Sequence, residues 1–438
     1  MGLGMKKLLL GSAAFLLLSV GIASATDMPI RAPVYKAPEA FYDWSGLYVG
    51  VYSGVGAQES RGFDPTGGSA GRVNYTGAGF NGGGTIGYNW QFNRNWVVGA
   101  EGDFGYLGLS HNIRDYDDPG LTYNSKTSWI GTLRGRAGYS NGPTLTYITA
   151  GGAWVHADDT LTNGPLSATS SKTLGGYTIG TGVETMLGGN WTAKAESFYV
   201  DVGRGTTLGP LAGFNLQTDK NRYQGMKFGL NYLFGGKQQP ALPAYNWSGF
   251  YAGVVGGTAV TESRGTDPTG ATVGQIGNNG DGFTIGGMAG YNWQFGPHWV
   301  AGVEGDFSYL GIKQSDVQYN DPTANLGVKT SWLGTVRGRV GYSTGPALLY
   351  VTGGAAWVGL KDQWAFPGPM ATGSVTKSGA TFGGGIETVI SGNWTSKTEY
   401  LYIDAGRGNT LVAPASPMQV DHTFHVFRSS LVYKFGSQ

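Results

Sequence analysis

The chain contains no cysteine, which excludes a disulfide frame, a thiolate metal site and a lipid-modified amino-terminal cysteine. It is also short of charge. Only 13% of its 438 residues are charged, about half the usual globular share, so an ordinary water-facing surface is hard to build from it. The net charge of +1 leaves no electrostatic footprint for nucleic acid, and no nucleic-acid partner is expected. Past residue 25 no run of about 18 apolar residues occurs, which excludes a spanning helix. What the chain does have is glycine, 79 residues of it, and aromatic side chains at 13%.

The first residues carry an export signal. Lys6 and Lys7 precede "LLLGSAAFLLLSVGIA", and Ala23-Ser24-Ala25 forms a small-x-small cleavage site, so Met1 to Ala25 is expected to be a removed signal peptide rather than an anchor. The remainder is a duplication. "YDWSGLYVG" (Tyr42 to Gly50) recurs as "YNWSGFYAG" (Tyr245 to Gly253), and "GYNWQF" at Gly87 recurs unchanged at Gly290. "TSWIGTLRGRAGYS" at Thr127 becomes "TSWLGTVRGRVGYS" at Thr330. The offset is 203 positions (Glu101 to Glu304) until two residues drop out in the last loop. A proline-containing segment precedes each copy, and proline keeps such segments extended and outside a ladder. The expected organisation is signal peptide 1–25, leader 26–43, first unit 44–235, linker 236–246 and second unit 247–438.

Within unit one, eight strand-like runs begin near Leu47, Phe80, Trp96, Thr127, Thr144, Thr173, Trp191 and Tyr223. Their joins alternate between tight turns, such as "NRN" (Asn93 to Asn95) and "NGP" (Asn141 to Pro143), and long polar segments such as "AQESRGFDPTGGSAGRVNYTG" and "SHNIRDYDDPGLTYNSK". Short turns at one end and long loops at the other describe an up-and-down membrane barrel. Parity gives the facing. Trp96, Val98, Ala100, Phe104 and Tyr106 share one face of their run, opposite Glu101 and Asp103, and Leu133 opposes Arg134 and Arg136. Trp90, Trp96, Tyr139, Trp191 and Phe234 fall at the short-turn ends, matched in the second unit by Trp293, Trp299, Tyr342 and Trp394. Tyr106, Trp129 and Tyr199 fall near the other end. Two aromatic belts with smaller apolar residues between them mark the two interfaces of a membrane. Backbone groups in lipid also demand a closed sheet.

The expected fold is therefore all-β: a transmembrane antiparallel up-and-down β-barrel, in two tandem eight-stranded units or, alternatively, as one sixteen-stranded barrel. The proline-containing join favours two. The inward charges of unit one are Glu101, Asp103, Arg134, Arg136, Glu184, Lys194 and Glu196; those of unit two are Glu304, Asp306, Arg337, Arg339, Glu387, Lys397 and Glu399. Four acids and three bases per unit nearly balance, as charges buried together must. In a narrow barrel they would form a packed, paired core; in a sixteen-stranded one they would line water.

Catalytic, cofactor and metal sites are not expected. None of His111, His156, His298, His422 and His425 has a histidine at its equivalent position in the other unit, which does not suit a duplicated catalytic site. A single-copy lipid hydrolase using His156 and a nearby serine is the enzyme alternative. "NGGGTIG" and "FGGGIE" lack the Lys-Ser/Thr of a phosphate loop.

These residues carry a resemblance. The Lys-Lys signal, the "PVYKAP" leader, the "Y-x-W-S-G-x-Y-x-G" opening, "GYNWQF", "VGAEGDF", "RGRAGY" and the aromatic final strands resemble the outer-membrane β-barrel proteins of alphaproteobacteria, the porin-family or outer-membrane immunogenic proteins. The resemblance covers essentially all of the mature chain. It implies an eight-stranded outer-membrane barrel that is non-enzymatic and serves membrane integrity and surface presentation. Its partners would be outer-membrane lipids, lipopolysaccharide and, during biogenesis, the barrel-assembly machinery. A general diffusion porin is the next reading, and a receptor or adhesin using Ser110 to Lys126 the third. Two features depart from the pattern: the duplication, and the placing of Phe435, the candidate assembly signal, before Gly436-Ser437-Gln438.

Overall fold

The computed structural model describes residues 41–436, apart from 67–71, 115–119, 206, 212–213, 235–238, 271–274, 318–324, 366–369 and 413–416. The expected signal peptide, most of the leader and the start of the linker lie outside the described residues. All regular structure among the described residues is strand.

The first unit contains β1 (Gly46–Phe63), β2 (Arg72–Gln91), β3 (Trp96–Arg114), β4 (Leu121–Asn141), β5 (Thr144–Asn163), β6 (Leu166–Gly188), β7 (Trp191–Asp201), β8 (Thr207–Leu211) and β9 (Phe214–Leu233). The second contains β10 (Gly249–Thr266), β11 (Gln275–Phe295), β12 (Trp299–Val317), β13 (Asn325–Ser343), β14 (Ala347–Ala365), β15 (Ala371–Ser391), β16 (Trp394–Val412) and β17 (Pro417–Lys434). Within each unit successive strands pair antiparallel, except that β7 pairs with β9 and not with β8, and each unit closes on itself: β1 pairs with β9 and β10 with β17. Among the described residues no strand of one unit pairs with a strand of the other. Two eight-stave barrels result, and one sixteen-stranded barrel does not. The ninth strand of unit one, β8, is an arm on β9, because β7 reaches β9 directly.

Closure follows from the facing. Along β4, residues from Thr132 to Ser140 alternate between buried and exposed, and Leu133 is 63% exposed while Arg134 is 2% exposed. Tight turns fix the register at one end. Asn93 Oδ1 accepts from the backbone N–H of Asn95 and Trp96, at 2.9 and 2.8 Å. In the β4–β5 turn Gly142 has φ of 63°, a left-handed conformation that suits glycine.

The opposite ends differ from expectation. The polar segments read as long loops are largely ladder: Gln58 pairs with Gly77 and Arg61 with Asn74, and Ser110 pairs with Lys126 and Arg114 with Thr122. Most strands therefore run 18 to 23 residues, whereas about 9–11 suffice to cross a bilayer. Beyond the hydrocarbon a strand needs no apolar face, so hydropathy marks where the membrane ends and not where the strand does. The two barrels lie side by side, with Ala57 and Met226 of the first against Val260 and Phe427 of the second.

Candidate functional site: a filled, charged lumen

The lumen of unit one is organised around Arg134. Its Nη2 lies 2.5 Å from Glu101 Oε1 and 2.6 Å from Asp103 Oδ2, and its Nη1 lies 2.5 Å from Glu196 Oε1. Arg136 Nη2 lies 2.7 Å from Glu184 Oε2, and Lys194 Nζ lies 2.8 Å from Glu101 Oε2. These side chains are at most 3% exposed. β3, β4, β6 and β7 thus bring all seven sequence-predicted lumen residues into one network. Unit two repeats it. Arg337 reaches Glu304 at 2.5 Å, Asp306 at 3.0 Å and Glu399 at 3.2 Å. Arg339 meets Glu387 at 2.8 Å, and Lys397 meets Glu304 at 2.7 Å.

An eighth charge completes each network and was missed from sequence. Lys227, on β9, lies 2.9 Å from Asp103. Its counterpart Arg428, on β17, donates from both terminal nitrogens to Asp306 at 2.9 Å and from Nε to Glu399 at 2.7 Å. Each network therefore holds four acids and four bases. The signal was present, since Lys227 sits on the inward parity between Met226 and Phe228. Tyrosines also belong to the network. Tyr48 donates to Glu101 at 2.7 Å and Tyr147 to Glu196 at 3.0 Å, as Tyr251 does to Glu304 at 2.9 Å and Tyr350 to Glu399 at 2.8 Å. Glycine makes room for them. A Cβ on Gly182 would lie 2.6 Å from the Tyr147 ring and hydroxyl, and one on Gly87 would overlap Tyr48.

Layers above and below seal the charged one. On the long-strand side, Leu107, Leu109, Ile130, Val155, Phe198 and Val200 fill unit one, and Leu310, Ile312, Leu333, Val358, Leu401 and Phe424 fill unit two. On the short-turn side each barrel is capped by the tryptophan of its "WSG" motif. Trp44 and Trp247 are 1% and 2% exposed. Each donates its backbone N–H to the next turn's glutamine, Trp44 to Gln91 Oε1 at 2.8 Å and Trp247 to Gln294 Oε1 at 2.7 Å. Sequence reasoning assigned these tryptophans to the opening strand and gave them no role.

Outside, the predicted girdle residues Trp90, Trp96, Tyr139, Trp191, Phe234, Trp293, Trp299, Tyr342 and Trp394 stand 42% to 60% exposed. Neighbours meet edge to face, Trp96 with Tyr139 at 5.5 Å and Trp299 with Tyr342 at 5.7 Å. Phe435 follows the end of β17, is 52% exposed, and donates its N–H to Phe250 O at 2.8 Å.

The chemical alternatives meet specific obstacles. Glu101, Asp103 and Glu196 place carboxylate oxygens within 4.8 Å of one another, but Arg134, Lys194 and Lys227 already hold those oxygens. His156 touches Ser171 Oγ at 3.2 Å and Thr173 Oγ1 at 3.0 Å and stacks on Trp129, so a hydroxyl stands where a triad needs a carboxylate on Nδ1. Ser263, His422 and Asp362 are joined in the upper lumen of unit two at 2.9 and 3.3 Å. All three are at most 2% exposed.

The family described as outer membrane protein beta-barrel domain matches this chain twice, over residues 13–234 and 233–435. The chain belongs to the outer membrane protein β-barrel family. Membership places the protein in the outer membrane. Among curated relatives, the 31 kDa outer-membrane immunogenic protein of Brucella melitensis biotype 1 is 32% identical over 206 residues, covering 44% of this chain and 86% of the relative. The 22 kDa outer membrane protein of Rhizobium leguminosarum bv. viciae is 35% identical, covering 38% of this chain and 69% of the relative. The 25 kDa outer-membrane immunogenic protein of Brucella abortus biovar 1 is 31% identical and is covered over 99% of its length, against 52% of this chain. Two solved structures are more distant. Neisserial surface protein A is 16% identical with a TM-score of 0.24, covering 43% of this chain and 98% of that one. The Pseudomonas putida toluene transporter TodX is 11% identical with a TM-score of 0.27, covering 91% and 90%.

Proposed function

We propose that this outer-membrane protein is a non-enzymatic, non-conducting pair of barrels that contributes to membrane integrity and presents its projecting strand ends at the cell surface. The observation that carries this reading is the filled lumen: a tryptophan cap, a layer of paired charges and an apolar layer stacked in each barrel. Lumen charges serve here as structural core, and the girdle aromatics hold each barrel at its depth in lipid. The exposed apolar faces contact outer-membrane lipid and, in the outer leaflet, lipopolysaccharide. The barrel-assembly machinery inserts the chain, with β17 and Phe435 as its recognised end. Relatives named immunogenic outer-membrane proteins support surface presentation.

Single-channel recording of refolded, demonstrably inserted protein tests the reading. The expected result is silence or rare small flickers at salt concentrations that resolve porin currents. Large, stable steps would convert the paired charges into pore-lining residues and establish the diffusion-porin reading instead.

A further inference from the structure

The outward faces of the two barrels are not uniformly exposed. Phe104, Leu133, Phe250 and Val351 are 62% or more exposed, as side chains directed at lipid should be. On the same outward parity, Ala57 and Met226 in unit one and Val260 and Phe427 in unit two are 2% exposed or less and pack on one another. A second outward cluster joins Val183, Ala193 and Ala195 to Ile386.

These contacts have a symmetry. Val260 occupies in unit two the place of Ala57 in unit one, Phe427 the place of Met226, and Ile386 the place of Val183. Equivalent positions meet their own counterparts, which is the signature of a twofold contact. The strands agree: β2 and β3 lie close to β11 and β12, and β6 and β7 to β15 and β16. The linker joins the short-turn ends of both barrels, so both insert in the same sense and the pseudo-twofold axis must run parallel to the barrel axes. Polar rims complete the contact. At the long-strand end, Ala78 N–H of unit one donates to Glu262 of unit two, and Arg222 of unit one feels the charge of Asp281 of unit two. At the short-turn end the leader and the linker meet beside the contact, Tyr42 Oη donating to Ala241 O at 2.8 Å and Gln239 Nε2 to Asp43 O at 2.8 Å.

The match is not between like surfaces. At four equivalent pairs the unit-one residue is the smaller, Ala57 against Val260, Met226 against Phe427, Val183 against Ile386 and Ala195 against the buried Thr398, whereas Phe228, packed against both clusters, is larger than its equivalent Ser429. Lipid offers no hydrophobic drive for two apolar faces to meet, so close packing has to hold them together. Two unit-one faces would leave gaps at Ala57, Val183 and Met226 and crowd at Phe228, and two unit-two faces would do the reverse. We propose that the chain is a fused dimer: each barrel presents one self-complementary outer face, the partner of that face is the other unit of the same chain, and side-chain size selects this pairing over pairing between chains.

The absence of cysteine makes the test direct. Full-length protein carrying a protease site inserted at residue 236 is given cysteine pairs at Ala57/Val260, Ala195/Thr398 or, as control, the lipid-exposed equivalents Phe104/Phe307. A short bifunctional thiol reagent is applied in native membranes, the linker is cleaved, and denatured products are separated by size. The first two pairs are expected to keep the halves joined within one chain, and the control pair to release them. Enlarging unit one with Ala57→Val, Val183→Ile and Met226→Phe together is expected to lower the Ala195/Thr398 yield about fivefold or more, while heat-modifiable mobility shows both barrels still folded. Failure of both interface pairs in folded protein would overturn the contact. Links between chains outrunning links within them, or an enlarged face that pairs as before, would overturn the selection by size.

Discussion

Replacing Arg134 by methionine should damage unit one more than the equivalent Arg337→Met damages unit two, and the ion-pair geometry gives the difference. In unit one Arg134 serves three carboxylates. After its removal Glu101 keeps Lys194 and Tyr48, and Asp103 keeps Lys227. Among the described residues Glu196 keeps its hydrogen bond from Tyr147 and the longer-range charge of Lys194, so a fully buried carboxylate is left without a cation in direct contact. Breaking a buried pair in this way costs about 3–5 kcal/mol. In unit two the corresponding Glu399 retains Arg428 Nε at 2.7 Å, Lys397 at 3.3 Å and Tyr350 at 2.8 Å. The loss there should be smaller by roughly 1.5–3 kcal/mol, the worth of one hydrogen bond to a charged group. The assay is urea unfolding in detergent micelles or vesicles, read for each barrel separately by proteolysis of the unfolded half. Arg134→Met combined with Glu196→Gln should recover more than half of the single loss, because the stranded charge goes with its partner. Equal losses in the two units, or no recovery in the double variant, would refute the assignment of Arg134 as the hub.

Two further outcomes test facing and sealing. Leu133→Arg places a cation on the lipid face beside the buried Arg134 and should cost about 2–4 kcal/mol if the site lies near the bilayer midplane, measured by the same unfolding assay; an undetectable change would invert the facing. Trp44→Ala removes the cap of unit one and should cost about 3–5 kcal/mol, yet inserted protein should stay silent in single-channel recording, because the charged and apolar layers above remain. Conductance on loss of Trp44 alone would make the cap the gate and those layers permeable.

The facing of the strands was legible because period-two alternation and aromatic placement depend only on local geometry. Leu133 and Arg134 stand on opposite sides for no other reason than that successive side chains in a strand do. The network was legible as a set of inward charges but not as a network: nothing in the spacing of Glu101, Arg134 and Glu196 shows that β3, β4 and β7 bring them to one level. Lys227 escaped for a related reason. It lies beyond the loop where two residues drop out, and its counterpart is an arginine, so the repeat did not present it as a retained residue. Trp44 and Trp247 were legible as a motif only, since a tryptophan before a strand reads equally as belt or cap until the barrel mouth exists. Strand ends were the least legible element, because the sequence chemistry that changes near Gln58 and Ser110 records the edge of the membrane while the ladder continues through Arg61 and Arg114.

The two units differ where difference has a structural consequence. Inside, Lys227 holds Asp103 through one contact at 2.9 Å, while Arg428 grips Asp306 with two nitrogens and Glu399 with a third; a planar guanidinium can serve two carboxylates in fixed geometry and an ammonium cannot. Unit two should therefore be the more resistant barrel to unfolding. Outside, the larger members of four contact pairs belong to unit two as well, with Phe228 of unit one against Ser429 the reverse case. A barrel pair built this way has one stiff half whose bulkier face, with Val260, Ile386 and Phe427, fits the smaller residues of the other. If Lys227→Arg can reproduce the Arg428 contacts, it should raise the denaturant midpoint of unit one toward that of unit two and leave the cross-linking between barrels unchanged. A rise in only one of these measurements is required, because the lumen and the outer face lie on opposite sides of the same strands and are packed independently.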